Sequence, residues 1–448
     1  SSCISVKSYQ EPQIDPDGLF GNYPERDTLT IANLPWYTYF TDPLLTDLID
    51  QGLTNNFDLQ IAISRIQQSE ANLSIARAAY FPTATLTAGV QHNRFSEAGS
   101  GDVLRKHTTQ YTLGIAATWE VELWGKLTSQ SKASYAQLLA SYSYRNLVQT
   151  TLIANIANYY YSLLALDEQL RISRRTLEVL QESSEAMQAM MEAGMLNGAA
   201  VQQSLGLQYA TEASIPDLET QLIQTENSLN LLLGRKPGTL INRSGIKEQI
   251  VPTQLDYGFP MQMLARRPDV RQAELNFRSA FELTNVARAS FYPSITLNSG
   301  SMIGYSHSTL SNFFRPENLI ANIIGGLTQP IFARNQLRGN LKIARAQQEE
   351  ALLNFENTVL SAGKEVSDIL SILDATRRKE TSRARQIQAL ETAVYYTGEL
   401  LTAGEANYTE VLNAQQSLLQ AELNQVTDKL QELQAAVNLY RALGGGIE

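Results

Sequence analysis

An internal repeat decides most of what this chain can fold into. The segment Ala76-Arg-Ala-Ala-Tyr-Phe-Pro-Thr-Ala-Thr-Leu86 recurs as Ala287-Arg-Ala-Ser-Phe-Tyr-Pro-Ser-Ile-Thr-Leu297, and the same offset carries Asp58 onto Asp269. A nearly equal offset carries Ala193-Gly194 onto Ala403-Gly404 and Leu233-Gly234 onto Leu443-Gly444. The chain therefore reads as a tandem duplication of about two hundred residues, with copies at 51–234 and 261–448 preceded by the segments 1–50 and 235–260.

Each copy reads helix, strand, strand, very long helix, helix. In the first copy a helix near 57–79 stops at Pro82, which cannot continue a helix but can open a strand. Strands follow near 83–94 and 109–123. The second alternates, with Tyr111, Leu113, Ile115, Ala117, Trp119, Val121 and Leu123 on one face and Thr, Gly, Ala and Glu between them. The matching hairpins span 83–123 and 294–331. In the second copy the alternation through Leu319, Ile323 and Leu327 is weaker and ends at Gln329-Pro330. The segments 95–108 and 306–316 are rich in Ser, Gly, Asn and charge, which predicts hairpin loops. His92, His107 and His307 are expected to be solvated residues of those loops, with no converging ligands for a metal.

After each hairpin comes a stretch without Pro and nearly without Gly, near 126–192 and 335–402. At 1.5 Å per residue each would form a helix roughly 100 Å long. The spacing of Leu352, Phe355, Val359, Ala362, Val366, Ile369 and Leu373, and of Leu419, Leu423, Val426, Leu430, Leu433, Val437 and Tyr440, is that of a coiled-coil seam.

No apolar run is long enough for a transmembrane helix, so the only membrane route open to this chain is a β-barrel. Four strands cannot close one, and an open edge in lipid leaves amides unpaired, so several chains must pool their strands. Aromatic residues gather where helix meets hairpin: Tyr80, Phe81, Trp124, Phe291, Tyr292 and Phe332. They suit an interfacial girdle, with packing at a helix–strand hinge as the alternative. A net charge of -10 argues against nucleic acid as a partner. One cysteine, Cys3, excludes a disulfide within the chain, and three histidines with that cysteine leave little for a metal site. The titratable residues are spread along helices, not gathered as an enzyme requires, and no cofactor is implied.

At this point the chain resembles the TolC family of outer-membrane factors, and more narrowly the lipoprotein branch that serves resistance-nodulation-division (RND) efflux pumps. The resemblance covers essentially the whole chain. It rests on Tyr161-Ser-Leu-Leu-Ala-Leu-Asp-Glu-Gln-Leu170, Arg266-Arg-Pro-Asp-Val-Arg-Gln-Ala-Glu274, Phe291-Tyr-Pro-Ser-Ile295 and Gln329-Pro-Ile-Phe332 together with the duplication. It implies a mixed α and transmembrane β fold: a homotrimer with a twelve-stranded barrel in the outer membrane, continued by a periplasmic α-helical coiled-coil barrel. An equatorial belt would come from residues near 1–50, 234–260 and the C-terminal end. The implied partners are a periplasmic adaptor, an inner-membrane RND transporter and outer-membrane lipid. The implied function is a passive multidrug exit duct opened at its periplasmic tip. A duct for type I protein secretion shares this architecture. A periplasmic coiled-coil scaffold shares the heptads but gives no reason for two alternating hairpins.

The resemblance places the adaptor contact at the helical hairpin tips, around Gly194, Met195 and Leu196 and around Gly404, Glu405 and Ala406. It places the closed aperture at the start of the last helix, where the family has a motif like Asp-Val-Leu-Asp-Ala. This chain reads Glu410-Val-Leu-Asn-Ala414, which keeps one carboxylate and makes Thr409, Glu410 and Asn413 the aperture candidates. In the first copy the corresponding position is Ala200, so a polar link looks absent there. Asn407 with Glu410 also has the spacing of a capping box, and the two roles are compatible. Ser1-Ser2-Cys3 is similar to the end of a bacterial lipoprotein signal, with a stray terminal cysteine as the alternative. Expressed from its full precursor in a bacterium, the protein is expected to yield an N-terminal peptide whose mass carries acyl chains on Cys3. An unmodified Cys3 in membrane-derived protein contradicts this.

Overall fold

The computed structural model describes residues 6–13, 19, 34–94, 107–250, 266–300, 302–405 and 407–447. Cys3, Ala406 and the 95–106 connection lie outside the described residues. The elements are α1 (Trp36–Tyr39), α2 (Pro43–Asn55), α3 (Phe57–Ala78), β1 (Thr83–Arg94), β2 (His107–Val121), α4 (Lys126–Glu192) and α5 (Gly198–Leu232). They continue as α6 (Pro268–Ala289), β3 (Ser294–Asn298), β4 (Ile303–His307), β5 (Leu319–Ile320), β6 (Ile324–Thr328), α7 (Gln336–Thr402) and α8 (Tyr408–Ala442). Helix lengths match in pairs: α4 and α7 have 67 residues each, and α5 and α8 have 35 each. No described helix is long and apolar enough to cross a membrane.

The chain divides into two units, each drawing on both halves of the sequence. The first comprises Ser1–Gln13, Arg65–Tyr142 and Gln272–Phe355, and the second Ile14–Ser64, Ser143–Arg271 and Glu356–Glu448.

The first unit holds the sheet, which is antiparallel throughout. β2 pairs with all of β1 along one edge and with β3 and then β4 along the other, while β6 pairs with β3 and β5 with β4. The sheet is thus four strands wide, and the two strands expected from the second copy are each interrupted. The break between β3 and β4 is a local bend: Ser299 exchanges hydrogen bonds with the Ala117 backbone, and Gly300 takes a φ of 61° that a side chain disfavours. Among the described residues, the outer edges of β1, β5 and β6 have no strand partner. The expectation that the histidines are loop residues is corrected: His92, His107 and His307 all belong to strands. β1 ends at Arg94 as expected, while β2 begins at His107 and β4 runs to His307, each two residues inside a segment whose composition predicted a loop.

Beside the sheet, α6 is held by small polar residues. Ser279 Oγ donates to the Ala133 carbonyl at 3.2 Å and Thr284 Oγ1 to the Ala344 carbonyl at 3.1 Å, satisfying carbonyls while letting helices approach closely. The segment at 6–13 is anchored on α6. Asn285 accepts from Lys7 N at 3.1 Å and returns a 2.9 Å bond to its carbonyl, and Tyr9 packs between Phe277 and Phe281.

In the second unit the seam is where the spacing placed it, with Val359, Ala362, Val366, Ile369 and Leu373 of α7 and Val426, Leu433, Val437 and Tyr440 of α8 all buried. Two junctions close the unit. After α2, Asn56 caps α3 by accepting from Leu59 N and donates to the Leu232 carbonyl at the end of α5, at 3.0 Å each. At the equivalent place in the second half Arg267, 5% exposed, donates to the Ala442 carbonyl at the end of α8 at 2.8 Å. A buried guanidinium needs counter-charge. It is embraced by Asp269 at 3.0 and 2.8 Å and by Glu365 at 2.8 Å, and Glu365 also receives Arg441.

Burial by itself would raise the Asp269 carboxyl, but the Arg267 hydrogen bonds and charge outweigh it and hold it below its ordinary 3.8. A carboxylate depressed on folding stabilises the fold fully above its unfolded pKa, and that stability is lost as pH falls through the folded value. The thermal unfolding midpoint is therefore expected to fall steadily below about pH 4. Asp269→Asn is expected to cost about 2 kcal/mol at neutral pH and to flatten this acid limb. An unchanged acid limb in that variant contradicts the assignment.

Candidate functional site

Two regions answer to a duct: the faces of the sheet and the tips of the helical hairpins. In an antiparallel pair, directly opposed residues share a face, and so do residues two apart along a strand. The register matches Leu86 with Ile115, Val90 with Tyr111, Leu113 with Tyr305, Ile115 with Ile303, Trp119 with Leu297 and Ile295 with Leu327. One face of the whole sheet is therefore apolar, and its Leu86, Val90, Ile115, Ile303 and Leu327 are exposed. The other face carries Thr83 opposite Thr118, Thr85 opposite Ala116, Gln91 opposite Gln110, Glu120 opposite Thr296 and Ser294 opposite Thr328. Such a sheet suits hydrocarbon on one side and water on the other.

The polar face is also lined at its closest approach by glycine. Gly114 stands opposite Gly304, where a Cβ would come within 2.2 Å of the Leu113 carbonyl oxygen. Only glycine lets the strands meet there.

The six aromatic candidates divide. Trp124 stacks on Tyr292 with ring centroids 5.2 Å apart and donates its indole N–H to the Pro293 carbonyl at 2.6 Å. Tyr80 donates to Thr128 Oγ1 at 3.0 Å, and its carbonyl accepts from Trp119 Nε1 at 2.9 Å. Phe291 is half-buried, with Gln329 Nε2 donating to its carbonyl at 3.0 Å. Phe81 and Phe332, 72% and 86% exposed, stand in the open. Hinge packing thus accounts for Trp124, Tyr80 and Tyr292, and leaves Phe81 and Phe332 without a packing role.

At the tips both long helices end in the same hydrogen-bonded turn. Met195 N donates to Met190 O at 2.8 Å and Gly194 N to Met191 O at 2.9 Å; Glu405 N donates to Leu400 O at 2.8 Å and Gly404 N to Leu401 O at 3.0 Å. Gly194 and Gly404 hold φ of 74° and 77°, the left-handed conformation this turn requires. The next helix is capped by asparagine each time: Asn197 Oδ1 accepts from Ala200 N and Asn407 Oδ1 from Thr409 N, both at 3.1 Å. Buried Met187, Val201 and Leu412 form one apolar cluster, joined by Leu196, Leu401 and Tyr408, so the two tips pack together. Met195, Gly404 and Glu405 remain exposed.

Thr409 is half-buried, and Glu410 and Asn413 are exposed on the side of α8 away from buried Leu412. Residues three and four apart share a helix face, so these three form one polar stripe. In the first half Ala200 is fully buried. The equivalent of Glu410 is thus an interior position there, and no polar group stands at it. Asn407 caps Thr409, but among the described residues the Glu410 carboxylate makes no reciprocal bond.

Ion pairs between helices escaped the sequence reading. Arg175 of α4 meets Glu422 of α8 at 2.5 Å, and Lys379 and Arg383 of α7 both hold Asp428 of α8 at 3.0 and 2.9 Å. Partners 247 residues apart leave no local signal. Glu168 is brought down to about 2, first by its bond to Arg171 and then by Lys247, against the opposing effect of burial.

The family model described as "Outer membrane efflux protein" matches residues 48–235 and 259–445. The probable outer membrane lipoprotein SilC of Salmonella typhimurium is 32% identical over 455 residues, covering 100% of this chain and 96% of that protein. The pyoverdine export outer membrane protein OpmQ of Pseudomonas putida is 30% identical over 416 residues, covering 92% of this chain and 88% of its own length. The cation efflux system protein CusC of Escherichia coli is 29% identical over 450 residues, covering 100% of this chain and 96% of its own length. A crystal structure of CusC superposes with a TM-score of 0.86 at 27% identity, covering 98% of this chain and 99% of that chain. With a two-faced sheet, paired long helices and a family match over both halves, the chain belongs to the outer membrane efflux protein family, whose members are efflux ducts of the Gram-negative outer membrane.

Proposed function

We propose that three copies of this chain pool their hairpins into a twelve-stranded barrel, and that the trimer is the passive outer-membrane exit duct of a tripartite efflux pump. The observation that carries the proposal is the sheet: one face apolar, one face polar, and outer edges without partners among the described residues. In lipid those edges must be paired, and other copies of the same sheet supply matching ones. Phe81 and Phe332 then take the headgroup boundary, with Tyr80, Trp124, Phe291 and Tyr292 packed beside them as the girdle. Acylated Cys3 supplements this anchoring.

The helices form the periplasmic tunnel. Gly194, Met195, Leu196, Gly404, Glu405 and Ala406 present the adaptor-binding tips, and an RND transporter in the inner membrane supplies cargo. The polar stripe of half-buried Thr409 and exposed Glu410 and Asn413 lines the closed aperture. Three Glu410 carboxylates drawn together repel, which favours opening unless cations or protons neutralise them. The names of two relatives, the cation efflux system protein CusC and the pyoverdine export outer membrane protein OpmQ, attach different cargoes to them, in keeping with a duct whose cargo is chosen upstream. Efflux of cations is as consistent with this duct as efflux of drugs.

In planar-bilayer recordings, Glu410→Gln is expected to reduce cation preference and to weaken blockade by divalent or trivalent cations added on the periplasmic side. Wild-type selectivity and blockade in that variant would show that the carboxylate faces away from the pore.

A further inference from the structure

The chain contains three histidines, and all of them stand on the same face of the sheet. His92 is opposite Thr109, His107 is opposite Arg94, and His307 is opposite Tyr111. By the register these positions fall on the apolar face that carries Leu86, Val90 and Ile115. Each lies at the hairpin end of its strand, away from the strand ends that join the helices. The His92 and His107 rings are stacked with centroids 5.6 Å apart, and His92 Nδ1 lies 2.9 Å from Thr109 Oγ1. Arg94, His92 and His107 are all exposed. Within the described strands the one carboxylate, Glu120, is on the opposite face at the other end of β2.

An apolar face that ends in cationic and hydrogen-bonding groups marks a boundary between hydrocarbon and headgroup. The 12-residue β1 spans roughly 37 Å along its length. At a tilt of about 40° that is about 28 Å along the membrane normal, close to the ~25 Å apolar band of outer-membrane barrels with a margin for headgroups. Two imidazoles alone would also suit a transition metal. The fixed charge of Arg94, in register with His107, opposes a cation there and favours a ligand with several acceptor oxygens.

We propose that His92, Arg94 and His107 form a binding site for the phosphate of a lipid headgroup at the hairpin end of the barrel. The inference rests on the barrel reading above. Arg94 supplies the permanent charge and a forked donor pair, and the two imidazoles supply further N–H donors beside it. The acyl chains of the same lipid lie along Val90, Leu86 and Ile115. Such a site fixes the depth of the barrel at the end opposite the aromatic residues.

Trimers purified in detergent and analysed by native mass spectrometry test this with phosphatidic acid and with phosphate-free diacylglycerol of the same acyl chains. Wild type is expected to retain phosphatidic acid about tenfold over diacylglycerol. Arg94→Gln combined with His107→Gln is expected to abolish the preference, and Arg94→Lys to keep part of it. Equal retention of both lipids by wild type, or an undiminished preference in the double variant, overturns the proposal. So does occupancy by inorganic phosphate or Ni2+ added alone with no preference between the lipids. A preparation without trimers counts against the barrel itself, whereas trimers without a phosphate preference count against this site only.

Discussion

The structure depends first on the open edges of a sheet that is apolar on one face. A single chain supplies four strand widths, and β1 on one side and β5 and β6 on the other end without partners among the described residues. In water the apolar face would be exposed, and in lipid the edges would be unpaired. Both conflicts are resolved together when edges of several copies meet and the apolar faces turn outward. The glycine contact at Gly114 and Gly304 and the bend at Gly300 serve the same end, because closure requires strands that approach tightly and curve.

The two halves have solved equivalent problems with different chemistry. Where Asn56 joins α3 to the end of α5 by neutral hydrogen bonds, Arg267 joins α6 to the end of α8 through a buried ionic cluster with Asp269 and Glu365. At the tips, fully buried Ala200 stands where the second half exposes Glu410. The ionic junction and the exposed carboxylate both fall in the second half.

Much of this was legible in the sequence because periodicity is a local property. The helix bounds near 57–79, 126–192 and 335–402 coincide with α3, α4 and α7 within a residue or so, and Gly194 and Gly404 mark the turns. What escaped depends on register or on distant partners. The histidines were assigned to loops by composition, although the even spacing of His107 with Tyr111, and of His92 with Leu86 and Val90, already placed them on the apolar face. The interruption of the second hairpin turns on Ser299 and Gly300 fitting against Ala117, which no single-strand pattern encodes. Arg267 sat inside a quoted motif, but its role comes from Ala442 and Glu365, far away in sequence.

Electron cryo-microscopy of the protein in a lipid nanodisc would show directly how the open edges of the sheet are paired. The expected result is a closed ring of twelve antiparallel strands from three chains, in which β1 of each chain pairs with the β5 and β6 edge of the next and the face bearing Leu86, Ile115 and Leu327 meets lipid. A ring with any of those edges facing lipid, or with that apolar face lining the channel, contradicts it.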